Sequence, residues 1–318
     1  MNGTHTQQRA PLDFRLMAYR VVKLLLIAVL AGVAVKWALF DTVLITTDQM
    51  MPALLPGDRV LLSRAACAPP LQWFVRLSRR TPVVFRHPRN DTDLGCLRIA
   101  GIPGDIVSIS NGIVSILNEP TEKLVGKEDS ADVLPPGYSP RDWIDPFRLP
   151  VPGDTYALDT LTLRDFIFLW AVIQQENSPR KYILQPWIQV DDSIVADYFI
   201  SDFSLYKGPL GEVPAHLANQ WFFWDRLEEY LAAVLTGNSV SLGFSLTRDG
   251  SAVDTYRVKE SYYFLVADNW RDGFDSRYTG PVGGHLFKGA VVCVAWSFTP
   301  GRRFLSGLRA GRLCRIVN

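Results

Sequence analysis

The sequence predicts a mainly β protein in which an antiparallel β core follows one transmembrane helix and is interrupted by an α/β insertion. Three observations predict this fold. A long apolar run lies near the N-terminus, short runs rich in Val, Ile and Leu occur in two separate parts of the chain, and helical spacing of apolar residues appears between them. With 318 residues, 48% of them hydrophobic, the chain is long enough to bury a sizeable core.

The apolar run, residues 21–40, has about the length needed to cross a bilayer. Its centre, residues 24–35, carries no charge, and Lys23, Lys36 and Trp37 near its ends suit the membrane interface. A cleaved signal peptide is disfavoured because no small-residue cleavage site follows the run. A buried core helix is disfavoured because such helices are seldom apolar all round. We therefore expect an uncleaved anchor.

Charge around the run predicts its orientation. Arg9, Arg15 and Arg20 precede it, whereas Asp41 and Asp48 follow it. The positive-inside rule places residues 1–20 in the cytoplasm as a short tail and the remainder outside. In a bacterium with two membranes, the chain would be a single-pass inner-membrane protein with its main domain in the periplasm.

The β core is predicted in two parts, residues 41–118 and 255–318. Its strands are short runs bounded by Gly, Pro and Asn, at residues 58–62, 82–85, 106–109, 113–116, 262–267 and 290–296. Asn111 and Gly112 predict a hairpin turn, because both residues tolerate positive φ.

Residues 119–254 form the predicted insertion. Helical spacing of apolar residues predicts helices over residues 163–176 and 215–235. We interpret their aromatic stripes as packing against the core, with a partner or membrane contact as the alternative. The apolar cluster of Leu71, Trp73, Phe74 and Val75, in the first part of the core, could equally touch the membrane surface or pack internally.

Composition argues against several classes of function. The formal net charge of +1 disfavours a nucleic-acid partner held by bulk charge. The cysteines form no CxxC pair and the four histidines show no ligand spacing, so we expect neither a metal site nor a cofactor. Disulfides could form in an oxidising compartment, although small buried side chains are the favoured interpretation. The cysteines are Cys67, Cys96, Cys293 and Cys314.

Three segments carry a family resemblance. They read Thr-Thr-Asp-Gln-Met-Met-Pro-Ala-Leu at residues 46–54, Leu-Arg-Ile-Ala-Gly-Ile-Pro-Gly-Asp at residues 97–105, and Ala-Asp-Asn-Trp-Arg-Asp-Gly-Phe-Asp-Ser-Arg at residues 267–277. In this order, after an N-terminal apolar run, they resemble signal peptidase I, a membrane-bound peptidase family with a serine nucleophile and a lysine base. The closing part of the chain is most similar to the enzymes of Bacteroidetes.

The resemblance implies that the chemical groups have been lost. The nucleophile position is Gln49 and the base position is Leu97, and neither side chain can perform these roles. The serine that orients the lysine is replaced by Gly273. Thr47 keeps the hydroxyl of the auxiliary oxyanion position.

The resemblance also implies that the scaffold around the site has been kept. Two further exchanges lie within the third segment, where Ala267 stands for the usual glycine and Trp270 for a frequent arginine. The retained groove and scaffold residues are Met50, Pro52, Arg98, Asp268, Asp275, Ser276 and Arg277. We therefore expect a kept fold with lost chemistry, a catalytically degenerate member of the family.

The first functional hypothesis is a non-catalytic peptide-binding or scaffold subunit in preprotein export. It would hold an extended peptide by strand addition, with signal peptides, exported preproteins, an active signal peptidase paralogue or the translocase as partners. The alternative is an active signal peptidase with altered catalytic residues, Thr47 or Ser63 as nucleophile and Lys259 or Lys288 as base. A third hypothesis is a structural periplasmic protein without a groove function.

Overall fold

The computed structural model describes residues 14–67, 77–88, 90–117, 133–178, 180–302 and 307–317, without the side chains of residues 14–16, 34, 35, 37, 38 and 90–92. Most of the predicted cytoplasmic tail lies outside these residues, as does the predicted membrane-surface contact at Leu71, Trp73, Phe74 and Val75. Every described strand pairing is antiparallel. The predicted mainly β, antiparallel fold is confirmed.

All six strands predicted from the sequence are present, and so is the helix predicted over residues 163–176. The described helices are α1 (Phe14–Leu39), α2 (Leu163–Glu176), α3 (Ala215–Ala218), α4 (Trp221–Val234) and α5 (Ser276–Thr279). The described strands are β1 (Phe40–Leu44), β2 (Asp58–Ser63), β3 (Pro82–His87), β4 (Asn90–Gly101), β5 (Ile106–Ser110), β6 (Ile113–Ile116), β7 (Ile144–Arg148), β8 (Thr155–Ala157), β9 (Tyr182–Val190), β10 (Ser193–Val195), β11 (Phe199–Ile200), β12 (Gly208–Pro209), β13 (Val240–Arg248), β14 (Ser251–Ala252), β15 (Thr255–Arg257), β16 (Tyr262–Val266), β17 (Val282–Gly283), β18 (Phe287–Ser297) and β19 (Arg315–Ile316).

Helix α1 precedes the β core and runs directly into β1. Its described apolar side chains up to Val33 are exposed, as at Leu24 (66%) and Leu30 (59%). Among the described residues, no helix is both long enough and apolar enough to cross a membrane.

The main sheet interleaves strands from the two ends of the sequence. Its order is β1-β2-β18-β3-β4-β16-β17, with β19 paired to β18. Strand β18 therefore lies between β2 and β3, and β16 pairs with β4. Strands β1–β4 from the first part and β16–β19 from the second thus form a single sheet, which brings the three segments of the family resemblance into one neighbourhood.

A smaller sheet has the order β6-β5-β7. The hairpin between β5 and β6 turns at Asn111 and Gly112, which have φ values of 52° and 72°. The predicted turn is confirmed, and positive φ at both positions explains why this residue pair occurs there.

The segment between the two parts of the main sheet has its two ends next to each other. Strand β8 pairs with β15, with Tyr156 opposite Tyr256. Between these strands, α2 and α4 pack against a four-stranded sheet of order β10-β9-β13-β14.

The single helix predicted over residues 215–235 is wrong, because the structure divides it into α3 and α4. The Asn219 side chain donates to the Ala215 carbonyl oxygen at 2.7 Å, and Gln220 adopts an extended conformation with φ −110° and ψ 113°. A local side-chain bond of this kind competes with the helical ladder. The spacing of apolar residues in the sequence gives no sign of this break.

Helix α2 lies at the junction of the core regions. Phe168 packs with the cluster of the small sheet, whereas Ile167 packs with the cluster around α4. Val172 and Ile173 pack with Tyr256 and neighbouring residues. The Thr162 side chain caps the helix by accepting from the Asp165 amide at 3.2 Å. The helix therefore has apolar neighbours on several sides and is held in a defined position beside the main sheet.

Candidate functional site

Gln49, at the position that the resemblance assigns to the nucleophile, is held through its backbone. Its carbonyl oxygen accepts from the Asn269 amide at 2.9 Å, which joins the first and third segments. The neighbouring Met50 and Leu54 are buried at 1% and 0% exposure and anchor this loop in the core. The side chain of residue 49 is thus placed by contacts that do not depend on its identity.

The other two predicted residues of this loop lie at the surface. Thr47 and Pro52 are both exposed, and Pro52 follows a cis peptide bond. Thr47 is not among the described residues that line the pocket containing Gln49. The one hydroxyl that the resemblance leaves in place is therefore open to solvent.

Leu97, at the base position, lies in β4 opposite Val83 of β3. It is 3% exposed and packs in an apolar cluster that includes Ile99, Leu265 and Ala267. An alkyl side chain suits this environment, because a charged group would lose its hydration there. Leu97 contributes to core packing and has no group that could accept a proton.

The residue after Leu97 forms a buried ion pair. Arg98 donates to both carboxylate oxygens of Asp268 at 2.7 Å, and its third contact is the Arg80 carbonyl oxygen at 2.6 Å. The side chains of Arg98 and Asp268 are 7% and 11% exposed. The pair joins the second and third segments with the fork geometry in which arginine binds carboxylates.

A second buried pair organises the third segment. Arg277 donates to both oxygens of Asp275 at 2.8 Å, and both side chains are fully buried. Asp275 also accepts from the Ala267 amide at 2.8 Å, and the Ser276 hydroxyl accepts from the Leu265 amide at 3.1 Å. These bonds fix the turn that carries Gly273.

Ala267 leaves no room for a side chain larger than that of glycine at residue 273. A Cβ atom added to Gly273 would overlap the methyl group of Ala267 and would lie 2.8 Å from the Asn269 carbonyl oxygen. The glycine at residue 273 and the alanine at residue 267 are therefore mutually compatible, whereas a serine beside this alanine is not.

Gln49 and Leu97 line one pocket, which we call the central pocket. Its volume is about 90 Å³, and its other described lining residues are Phe85, His87, Pro88, Gly95, Ala171, Gln174, Gln175, Phe274, Asp275, Ser276, Thr279, Pro281 and Val282. The two positions of the lost chemistry therefore meet, although in a small space.

The described hydroxyls of the central pocket already have hydrogen-bond partners. The Thr279 hydroxyl donates to the Asp275 carbonyl oxygen at 3.2 Å, and Ser276 accepts as described above. None of the described lining residues is a lysine. Lys288 instead lies 3.3 Å from Asp41, and Lys259 donates to Asn177 at 2.8 Å. The alternative bases weighed from the sequence thus have partners elsewhere.

The cysteines near the site are poor nucleophiles. Burial raises the pKa of the Cys96 thiol to about 12 and that of Cys67 to about 11. At neutral pH the reactive thiolate is therefore almost absent. All four cysteines are free thiols. The expectation that they are small buried side chains holds for Cys96 alone, because the other three are partly or fully exposed. Among the described residues, no group of His, Cys, Asp and Glu could hold a metal ion.

Sequence reasoning missed two contacts that connect the site to residues 119–254. Gln175 of α2 donates to the Pro281 carbonyl oxygen at 2.9 Å and accepts from the Gly283 amide at 2.8 Å. Trp270 donates to the buried Asp142 at 2.8 Å and stacks on the Arg277 guanidinium at 4.1 Å. Gln175 and Asp142 belong to no motif and are far in sequence from Pro281 and Trp270, so the sequence contains no signal for either contact.

The electrostatics of Asp142 follow from these contacts. Burial alone would raise the pKa of this carboxyl. Hydrogen bonds from Arg141, Leu134 and Trp270 outweigh burial and hold the pKa of Asp142 below its usual value. The carboxylate is therefore ionised at neutral pH and serves as a fixed acceptor beneath the third segment.

Comparison with known families gives one match. The family model described as signal peptidase, peptidase S26, matches residues 18–177, half of the chain. This range contains the first two segments of the resemblance together with helix α2. No curated protein matches the chain.

Proposed function

The chain belongs to the signal peptidase family, peptidase S26, and we propose that it is a non-catalytic member that binds peptides or serves as a scaffold subunit in preprotein export. One observation carries the proposal. Gln49 and Leu97, which occupy the nucleophile and base positions, line the same pocket, so the degenerate positions lie together within an otherwise organised site.

The chemistry of that pocket supports the loss of catalysis. A serine hydroxyl needs a neighbouring base to become nucleophilic, and neither an amide nor an alkyl group can replace the serine and lysine. In one well-characterised serine peptidase with a histidine base, removal of the nucleophile or base alone lowers kcat by about 10⁶-fold. The ion pairs of Arg98 with Asp268 and of Arg277 with Asp275 hold the architecture without supplying a reactive group.

The family indicates the class of partner. Signal peptidases act on exported preproteins that carry signal peptides, so we propose that this chain meets the same polypeptides. An active signal peptidase paralogue or the translocase would be the neighbouring subunit. No part of this proposal requires a cofactor or a nucleic acid.

We further propose that residues 21–40 anchor the chain in the bacterial inner membrane, with the N-terminus in the cytoplasm and the main domain in the periplasm. Support comes from the uncharged centre of this run, from the basic residues before it and from the exposed apolar side chains of α1. Carbonate extraction and protease protection of spheroplasts would test it. Release by carbonate, or a main domain protected from external protease in intact spheroplasts, would contradict it.

The central experiment incubates the purified full-length protein with a preprotein, beside an active signal peptidase as positive control. We expect no cleavage, and we expect a synthetic signal peptide to raise the melting temperature of the chain. Cleavage that disappears in Thr47→Ala would instead favour an active peptidase with altered residues. No change in melting temperature with any signal peptide would favour a purely structural protein.

A further inference from the structure

The central pocket is too small for a polypeptide segment, but a larger groove lies beside it. Binding pockets for small ligands occupy about 300–1,000 Å³. The central pocket has only about 90 Å³, whereas the neighbouring groove has about 650 Å³. We call it the insertion groove, and it is lined mainly by apolar residues of α2, β9 and the turn at Leu210–Glu212, with α3 at one end.

The insertion groove adjoins the central pocket. Pro88 and Gln174 line both spaces. A chain that lay in the groove would therefore approach the family's cleavage positions at Gln49 and Leu97. This adjacency relates the groove to the polypeptides that the family recognises.

One wall of the groove is the edge of β9. Tyr182, Ile183 and Leu184 all line it, and successive strand residues point to opposite faces, so the groove follows the edge and not one face. Strand β10 pairs with β9 only from Ile188 to Val190. In the described residues, the edge from residue 182 to 187 therefore has no strand partner on this side.

The ladder with β13 shows which backbone groups face the groove. Leu184 is opposite Leu246, and the Leu246 carbonyl oxygen accepts from the Val253 amide at 2.9 Å, away from β9. Bonded and non-bonded pairs alternate along an antiparallel ladder, so Leu184 directs its N–H and C=O to the open edge. Pro186, two residues later, directs its C=O to the same edge, and as a proline it has no N–H that could be left unpaired. This edge can accept an added strand at Leu184.

A positively charged side chain lies at the edge of the groove. Arg180 is exposed, lines the groove and has no ion-pair partner among the described residues. Since the remaining lining is mostly apolar, its charge favours a carboxylate on a bound chain.

We propose that the insertion groove binds an extended segment of an exported polypeptide as an added strand along β9, with apolar side chains in the groove and a carboxylate near Arg180. The proposal rests on the proposed function, since it names where and how the peptide binds. Main-chain hydrogen bonds would supply affinity, and the apolar lining would select the sequence.

The test uses a fluorescein-labelled decapeptide of alternating valine and alanine that ends in aspartate, measured by fluorescence polarisation with the full chain in detergent. Gly211→Trp should weaken binding at least tenfold, because Gly211 lines the groove and a Cβ there meets no atom within 4 Å. Gly311→Trp is the matched control, with equal open space and a position outside the groove lining, and should leave affinity unchanged.

Two changes probe the mode of binding. N-methylation of alternate peptide amides should weaken binding about tenfold, because each lost backbone hydrogen bond is worth about 1 kcal/mol. Arg180→Asn, which suits the φ of 67° at this residue, should weaken the aspartate peptide more than its asparagine counterpart, and comparison with a C-terminal amide separates side-chain from terminal carboxylate recognition.

The outcomes separate this proposal from the function on which it rests. Equal binding by wild type and Gly211→Trp, with intact folding by circular dichroism, would overturn the groove and leave peptide binding standing. Full affinity of the N-methylated peptide would overturn strand addition. If the wild type bound neither this probe nor a signal peptide, the groove and the proposed function would both fall.

Discussion

The methyl group of Ala267 occupies the space into which any side chain at Gly273 would have to extend. The family resemblance places glycine at residue 267 and serine at residue 273. In this chain the larger of the two residues is at position 267 and the smaller is at position 273. The two substitutions form one packing unit. Loss of the serine hydroxyl is therefore built into the core and cannot be reversed at a single position without strain.

Gly273→Ser should destabilise the chain by about 1–3 kcal/mol, the usual effect of overpacking a core. Adding Ala267→Gly should recover part of this loss, because the contact with the Asn269 carbonyl oxygen remains at 2.8 Å. Urea unfolding of both single variants and the double variant gives the coupling energy. Strict additivity would show that the two positions do not share space.

Leu97→Lys should destabilise the chain strongly at neutral pH, because burial lowers the pKa of a lysine amine. The unfolded chain binds the proton up to about pH 10.4, so the penalty from ionisation is full below the lowered pKa of the folded chain, decreases as the pH rises above that pKa, and is gone above about pH 10.4. The difference in melting temperature between Leu97→Lys and wild type should therefore be larger at pH 7 than at pH 10. Leu97→Met, which changes shape but not charge, should cost less than about 1.5 kcal/mol with no pH dependence.

Asp268→Asn should cost about 3–5 kcal/mol, because it leaves the Arg98 guanidinium buried without its counter-charge. Arg98→Lys should also destabilise, since an ammonium cannot reproduce two parallel bonds to the carboxylate. Replacing both partners with apolar residues, as in Arg98→Met with Asp268→Leu, should cost less than the sum of the single losses. Urea unfolding measures all three, and an additive double variant would refute the pairing.

Stability should fall as the pH drops below about 4. Burial would raise the pKa of Asp58, but hydrogen bonds led by Arg312 outweigh it and lower this pKa, so the stabilisation is present above the unfolded value of about 3.9 and lost below it. Thermal melts from pH 7 to pH 2 would follow the loss. Asp58→Asn should start from a lower melting temperature and lose less on acidification. An equal acid response would assign the effect to other carboxyls, such as Asp142.

Local features of the fold were predictable and long-range ones were not. The turn at Asn111 and Gly112 depends on two adjacent residues, and α2 depends on a periodicity within fourteen residues. The position of β18 between β2 and β3 depends on pairing across more than two hundred residues. A single sequence does not encode such pairing in a readable form.

The candidate site shows the same division. The resemblance located Gln49 and Leu97, and the structure brings both to one pocket. Gln175 and Asp142 escaped notice because their partners, Pro281 and Trp270, are reached only after folding. The insertion groove was also unpredictable, since its walls come from elements whose arrangement is set by tertiary packing.

The bond from the Asn269 amide to the Gln49 carbonyl oxygen has a further consequence. It connects two main-chain groups, so it does not involve the side chain of residue 49. A change between glutamine and serine at this position therefore leaves the bond in place. At residue 273 the opposite holds, because packing restricts the side chain. Return of a serine would keep this backbone bond at residue 49, whereas at residue 273 it would first require a smaller residue at position 267, which orders the steps that such an evolutionary path could take.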